Sequence, residues 1–189
     1  MSARRRHRFV IDRTWDGRSV PRDDAARVDL VAVTGGLELR IDSPFHDDPP
    51  PPGPPGSTPG LWRFEVVELF LAGALDEAGR RRYTEIEIGP RGHYLVLRFA
   101  GPRRSVAEGL ELEVETAIDD GRWRARVPLP AGHLPPPPHR AAAFAIHGPP
   151  EARRHRAAHP IPGSQPDFHQ PELFRPIDLE LPADASTPS

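Results

Sequence analysis

The feature of this sequence that most constrains its fold is the alternation of apolar and polar residues with a period of two. It is clearest on either side of Asp120-Gly121, where apolar residues alternate first with glutamates and then with arginines. A period of two is that of a strand with one buried face, and Asp-Gly favours a two-residue type I′ turn. The sequence therefore predicts a β-hairpin across this turn.

A two-residue loop at this turn also sets the register of the hairpin. Apolar side chains then meet on one face, and opposite charges meet on the other. The predicted pairs are Ile118 with Trp123, Val114 with Val127, Glu115 with Arg126, and Ala117 with Arg124. The charged face is interpreted as solvated surface.

Other short segments show strand-like patterns, and turn residues separate them at regular intervals. The predicted strands are Phe9–Ile11, Arg27–Val33, Leu37–Ile41, Leu61–Gly73, Tyr83–Ile88, His93–Phe99, Leu110–Ile118, Trp123–Leu129, Ala141–His147, Arg153–Ala158 and Phe174–Leu181. Leu61–Gly73 is apolar on both faces, as expected for a strand that is covered on both sides. No segment shows sustained helical periodicity, so the sequence predicts an all-β, jelly-roll-like antiparallel β-sandwich.

The 189 residues fit one domain, predicted over residues 1–182, with a disordered tail at 183–189. Proline-rich loops are predicted at 47–60 and 134–138. The strands on either side of the first proline tract are too few to form separate domains. This tract is therefore interpreted as a rigid loop packed on a sheet rather than as a linker.

Charge and composition exclude several classes of function. The net charge of −2 gives no reason to expect a nucleic-acid or membrane partner. With no cysteine, disulfides and thiolate metal sites are excluded. No secretory signal and no stretch long enough to span a bilayer is recognisable, so a cytoplasmic location is predicted. The oligomeric state is left open.

Two glutamates interrupt the apolar segment Leu61–Gly73. Alternation places Glu65 and Glu68 on opposite faces, so they cannot serve one site together. A buried carboxylate needs an ion pair or hydrogen-bond donors, or its pKa rises. Glu68 is predicted to be a ligand-binding group, and Glu65 a buried ion pair.

Tyr83, Glu85 and Glu87 share one face of their predicted strand. Carboxylates beside an aromatic ring are typical of a sugar site, and a solvent-facing edge is the alternative. Trp62 follows the flexible end of the proline-rich loop and is the candidate stacking ring. The two glutamates point the same way from one strand, an arrangement that favours binding over glycoside hydrolysis.

A third group, His147, His159, Asp167 and His169, lies in the C-terminal third of the chain. Histidine beside a carboxylate can bind a divalent metal or act as acid and base. No zinc signature fits the spacing, and hydrogen bonds that fix loops are the alternative. These residues, with Glu68, form the predicted pocket rim or a metal-assisted catalytic group.

Several motifs together resemble one family. They are SPFHDDPPPPG (43–53), GLWRFEVVELFL (60–71), YTEIEIGPRGHYLVL (83–97), GRWRARVPLP (121–130), FAIHG (144–148) and HPIPGSQPDFHQPELF (159–174). They resemble the DOMON-like superfamily, which includes carbohydrate-binding module family 9, and most closely a group of cytosolic proteins found in bacteria and animals. Arg63 departs from the pattern of that group, which has an acidic residue there.

The resemblance implies a sandwich fold that binds sugar or haem. Because Met1 is the only methionine, haem with Met and His ligands is not expected. No cofactor is predicted, and a divalent metal is left open. The predicted function is non-catalytic binding of a saccharide-like or other polar small ligand. The alternatives are a metal-assisted hydrolase and a structural or protein-interaction domain.

Overall fold

The regular structure of the chain consists of β-strands and short 3-10 helices, in a computed structural model that describes residues 6–137, 139–177 and 179. In chain order the strands are β1 (Arg6–Ile11), β2 (Arg13–Thr14), β3 (Ala26–Val33), β4 (Gly36–Pro44), β5 (Gly56–Ser57), β6 (Val66–Leu75), β7 (Arg81–Ile88), β8 (His93–Ala100), β9 (Ser105–Glu108), β10 (Glu115–Asp119), β11 (Arg122–Pro130), β12 (Arg140–His147), β13 (Arg154–Ala157) and β14 (Arg175–Pro176). Three-residue 3-10 helices lie at Arg22–Asp24, Leu61–Arg63, Ala131–His133, Pro150–Ala152 and Pro171–Leu173. None of the helices in these residues has the length and apolar character needed to cross a bilayer.

The strands form two sheets. The five-stranded sheet has the order β1-β3-β4-β11-β10. The nine-stranded sheet has the order β2-β13-β12-β6-β7-β8-β5, with β14 on β12 and β9 on β8. Every strand pair is antiparallel except β5 with β8.

The main core lies between the two sheets. Leu39 and Trp123 from the five-stranded sheet and Leu69 and Ile86 from the nine-stranded sheet are each at most 1% exposed and belong to one apolar cluster. Side chains alternate along a strand, so those of the nine-stranded sheet that do not point into this core point to its opposite face. This face is called here the outer face of the nine-stranded sheet. The antiparallel β-sandwich predicted from the sequence is confirmed.

The hairpin at Asp120-Gly121 has the predicted register. Strands β10 and β11 pair Ile118 with Trp123, Glu115 with Arg126, and Ala117 with Arg124. The predicted strand Leu110–Ile118 is too long, because the ladder begins only at Glu115. Leu110, Leu112 and Val114 pack partly buried against the core. Their alternation reflects side-chain packing without strand pairing at these residues.

The predicted strand Leu61–Gly73 begins later than expected. Leu61–Arg63 forms a 3-10 turn, and β6 starts at Val66. Gly60 has a φ of 74°, a left-handed conformation that suits glycine and turns the chain before the strand. This turn is what places Trp62 at the surface instead of in a strand.

Only part of the predicted C-terminal strand is observed. Arg175–Pro176 pairs with β12, and the Ile177 N–H donates to the His139 carbonyl. The remainder of the predicted strand, apart from Leu179, lies outside the described residues, as do Pro138 of the second proline run and the predicted tail at 183–189.

Glu65 anchors the first proline-rich loop. Its carboxylate accepts hydrogen bonds from the backbone N–H groups of His46 (3.0 Å) and Asp48 (3.3 Å). Burial raises the pKa of Glu65, and the two amide donors oppose that rise. The predicted ion pair of Glu65 is therefore wrong, because backbone donors take the place of a cation.

We predict that Glu65→Ala lowers the free energy of unfolding by about 2–4 kcal/mol, since two buried N–H groups lose a charged acceptor. Urea unfolding of the full chain measures the change. Glu65→Gln keeps one acceptor oxygen and should cost less. An alanine variant as stable as the wild type would contradict the anchoring role.

Candidate functional site

A cleft of about 430 Å³ opens on the outer face of the nine-stranded sheet. Strands β6, β7, β8 and β12 form its floor, and the loop that contains Phe168 covers one side. The residues that line it are Trp62, Glu68, Phe70, Glu85, Leu97, Phe99, Arg103, Ser105, Glu108, Ile146, His155, Pro166, Phe168 and His169. An apolar wall with a few polar groups is typical of a small-ligand site.

Three glutamates meet at the floor of this cleft. The register of β6 and β7 pairs Glu68 with Glu87 and Phe70 with Glu85, on the face that points away from the main core. One carboxylate oxygen from each glutamate lies within 4.8 Å of the others. Glu68 and Glu85 line the cleft, whereas Glu87 is fully buried behind them.

The protein provides few partners for these carboxylates. Among the described residues, neither the two oxygens of Glu87 nor Oε2 of Glu85 have a hydrogen-bond partner of good geometry; the backbone of Trp62 and a proton shared between Glu85 and Glu87 are close enough only to lower their pKa values. Burial raises the pKa of Glu85 to about 8, against the opposing effect of Arg103. Burial and the neighbouring carboxylates raise the pKa of Glu68 and of Glu87 well above the ordinary value. The described residues provide few groups that could neutralise these three acids, called here the glutamate trio.

Tyr83 and His169 form a hydrogen-bonded pair beside the trio. The Tyr83 hydroxyl accepts from the backbone N–H of Arg103 (3.0 Å) and lies 3.0 Å from His169 Nδ1. The hydroxyl can donate its hydrogen to Nδ1, and in that tautomer the proton of the neutral imidazole lies on Nε2. Nε2 lies 3.9 Å from Glu85 Oε2, beyond direct hydrogen-bond distance. Burial lowers the pKa of His169 to about 4, so the ring is neutral near pH 7.

Tyr83 supports the cleft without lining it. Its ring is 1% exposed and stacks on Phe99 with centroids 4.6 Å apart. Burial raises the pKa of its hydroxyl to about 12. Tyr83, predicted to be a ligand-binding residue, thus does not line the cleft and is hydrogen-bonded to His169, which does.

Asp167 lies at the edge of the cleft. One carboxylate oxygen accepts from Arg103 Nη2 (2.7 Å) and from the backbone N–H of His169 (3.1 Å). The predicted alternative of a loop-fixing hydrogen bond describes this residue. Asp167 thus orients Arg103 and His169, both of which line the cleft.

Trp62 stands at the rim of the cleft, with 42% of its surface exposed. Arg153 holds the turn that carries it, because Arg153 Nη2 donates to the carbonyls of Trp62 (3.2 Å) and Phe64 (2.5 Å). The guanidinium also donates to the carbonyl of Gly148. The indole is therefore an exposed ring on a fixed backbone.

His147 does not belong to the cleft. It shares a face of β12 with Ala145 of the main core, whereas its neighbour Ile146 faces the cleft. Its ring stacks on His46 with centroids 3.6 Å apart, and burial lowers its pKa to about 3. The predicted group of His147, Asp167, His169 and Glu68 is thus not assembled.

Several residues of the cleft were not predicted from the sequence. Leu97 and Phe99 alternate with core residues on β8, so the period-two pattern could have placed them on this face. Arg103 comes from a loop and Glu108 from the edge strand β9, whose positions no sequence pattern indicates. His155 lies in β13, within the predicted strand Arg153–Ala158, but the sequence does not show that β13 borders the cleft.

Comparison with known proteins identifies the family. No family model matches the chain. The UPF0462 protein C4orf33 homolog of Danio rerio is 34% identical over 181 residues, which cover 91% of this chain and 89% of that protein. The human UPF0462 protein C4orf33 is 34% identical over 179 residues, which cover 90% and 87%. The chain belongs to the UPF0462 family.

The fold of this UPF0462 chain is also that of solved structures. A "putative carbohydrate-binding protein" from Bacteroides uniformis superposes with a TM-score of 0.71 at 13% identity, covering 92% of this chain and 86% of that one. A carbohydrate-binding module family 9 protein from Caldicellulosiruptor kristjanssonii, solved with glucose, superposes with a TM-score of 0.54 at 13% identity, covering 86% and 80%. Identity this low shows the fold alone. The fold that the resemblance implied is confirmed.

The raised pKa values of the trio predict a pH-dependent cost to stability. An acid whose pKa rises on folding stabilises the folded state fully below its unfolded pKa, and this contribution is lost as the pH rises to the folded value. For Glu85 the window runs from about 4.5 to about 8. We therefore expect Glu85→Gln to gain stability relative to the wild type as the pH rises from 5 to 8.

Urea unfolding in EDTA at several pH values measures this difference. Taking the difference between each variant and the wild type cancels the contribution of the histidines. Their lowered pKa values change the free energy of unfolding in the opposite direction below pH 6.5. Glu113→Gln, which removes an exposed carboxylate, is the control and should give a difference that does not change with pH. If the stability of Glu85→Gln relative to the wild type stayed constant or fell as the pH rises, this would show that folding does not raise the pKa of Glu85.

Proposed function

We propose that the cleft binds a saccharide or a similar small ligand rich in hydroxyl groups. The observation that carries this proposal is the combination of an exposed indole at the rim with buried carboxylates at the floor that lack partners. A sugar presents both surfaces that such a site recognises, namely hydroxyl donors and an apolar C–H face.

The carboxylates supply the polar half of the site. Glu68 and Glu85 line the cleft and can accept hydrogen bonds from hydroxyl groups. Glu85 Oε2 has no hydrogen-bond partner among the described residues, but it is buried, so a ligand hydroxyl reaches it only if the carboxyl group rotates. Because burial raises the pKa of Glu68 and of Glu85, these carboxyl groups can donate as well as accept near pH 7. Glu87 does not line the cleft and makes no contact with a ligand in this proposal.

The aromatic residues supply the apolar half. Trp62 offers an exposed ring, and Phe70, Phe99 and Phe168 line the deeper wall. Since Arg153 fixes the backbone of Trp62, stacking does not require the turn to be ordered first. The volume of about 430 Å³ lies within the range of small-molecule sites and suits a ligand of one or two sugar rings.

Binding accounts for the arrangement better than hydrolysis. The carboxylates lie side by side on one sheet face, within 4.8 Å of one another. Glycosidase carboxylates flank the scissile bond from two sides, which these neighbouring strand positions do not provide. If the protein is cytoplasmic, as the sequence predicts, soluble sugars and sugar phosphates are the ligands to test before polysaccharides.

We expect at least one sugar from a panel that includes glucose and glucose phosphates to bind the full chain with a measurable heat in titration calorimetry. Trp62→Ala should weaken this binding by about tenfold, because it removes a stacking ring. Trp62→Phe should restore most of the affinity, and Glu68→Gln should weaken it, because an amide replaces one of the two carboxyl oxygens that can accept from a ligand hydroxyl.

Leu75→Ala is the matched control, since Leu75 is 53% exposed and lies outside the cleft. It should leave sugar binding unchanged. Absence of binding across the panel, or an unaffected affinity in Trp62→Ala, would rule out a saccharide site in this cleft.

A further inference from the structure

Among the described residues no arginine forms an ion pair with the glutamate trio, so none of them balances its charge once the carboxyl groups ionise. Other buried carboxylates of the chain have close cations: Asp29 contacts Arg6 and Arg8, and Glu38 contacts Arg40 and Arg126. Within the trio, the described ion pairs include only the 3.9 Å approach of His169 to Glu85, and that imidazole is neutral near pH 7.

The arginines around the trio are engaged elsewhere. Arg153 pairs with Asp48 at 3.6 Å and donates to backbone carbonyls, and Arg103 pairs with Asp167 at 2.7 Å. Both lower the pKa of a trio member through their charge, yet neither forms a hydrogen bond with one among the described contacts. Among the residues that the structure describes, none places a positive group in contact with the trio when it ionises.

Glu87 gives a second, separate indication of a missing partner. It is 0% exposed, and both of its oxygens lack a hydrogen-bond partner of good geometry among the described residues. An unpaired buried polar group is costly, and a carboxylate with two free oxygens is more so than a neutral group. Its carboxylate points toward those of Glu68 and Glu85, within 4.8 Å.

We propose that Glu68, Glu85 and Glu87 bind a divalent cation of the size of Ca²⁺. Carboxylate oxygens are hard ligands, which favour Ca²⁺, Mg²⁺ or Mn²⁺ over softer metals. The open cleft beside Glu68 and Glu85 gives the ion a path of entry and leaves space for water or ligand hydroxyls to complete its coordination.

Coordination geometry distinguishes Ca²⁺ from Mg²⁺ at this site. Oxygens that lie within 4.8 Å of one another are compatible with either ion. Ca²⁺ accepts irregular sets of oxygen ligands, whereas Mg²⁺ requires near-ideal octahedral geometry and gives up its water reluctantly. Three carboxylates on two neighbouring strands therefore suit Ca²⁺ better.

His169 is not a ligand in this proposal. With the Tyr83 hydroxyl donating to Nδ1, Nε2 carries the proton and has no lone pair for a metal. The ligand set is then entirely oxygen, which is the preference of Ca²⁺ and not of zinc. The cation site does not rest on the saccharide proposal, because its ligands belong to the protein.

The test is thermal unfolding of the full chain, stripped with EDTA and then titrated with CaCl₂ or MgCl₂. At a Ca²⁺ concentration 100-fold above Kd, the Tm should rise by roughly 5–11 °C, with a smaller rise for Mg²⁺. Native mass spectrometry should show one Ca²⁺ per chain. Glu87→Gln should abolish the rise while its metal-free Tm stays at or above that of the wild type. Glu113→Gln, which loses an exposed carboxylate instead, should keep the rise.

The outcomes separate the two proposals. A Ca²⁺ response without a sugar response supports the cation site and removes only the saccharide site. A sugar response in EDTA with no Ca²⁺ response overturns the cation site alone. A rise that persists in Glu87→Gln, or that is as large with Mg²⁺, also overturns it. Glu68→Gln provides the same test should Glu87→Gln fail to fold.

Discussion

The antiparallel register of β6 and β7 is the constraint on which the cleft depends. It sends Leu69 and Ile86 into the main core and sets Glu68 opposite Glu87 on the outer face. A shift of one residue would exchange the two faces and bury the acids in the apolar interior. The packing of the core thus determines where the carboxylates converge, although none of them contributes to that packing.

The cost of the trio stands out because the same chain neutralises other buried acids thoroughly. Glu38 lies between two arginines, and Glu65 is met by two backbone amides. Places where a sequence leaves a local physical rule unsatisfied are often functional sites, since stability there has been exchanged for binding or catalysis. On the outer face of the nine-stranded sheet the glutamate trio leaves such a rule unsatisfied, and aromatic residues line the same cleft.

Much of this arrangement could be predicted from alternation alone. Period two correctly placed Glu85 and Glu87 on one face and Glu68 on the cleft side of β6. The same rule places His147 on the face opposite the cleft, because His147 follows the cleft residue Ile146 by one position. The prediction that His147 belongs to the pocket rested on its residue type and not on this rule. Arg103 could not be predicted, since it reaches the cleft from a turn whose path depends on tertiary contacts. Alternation describes strands well and says nothing about the loops that cross their ends.

The turn that carries Trp62 has a further thermodynamic consequence. Arg153, from the far end of the chain, holds its carbonyl, and the preceding proline-rich loop is tied to β8 through Thr58 and to Glu65 through its first residues. The conformational entropy of this segment is thus given up during folding, long before any ligand arrives. Binding of the proposed ligand at Trp62 then orders little besides the ligand itself, so that a small contact area can give measurable affinity.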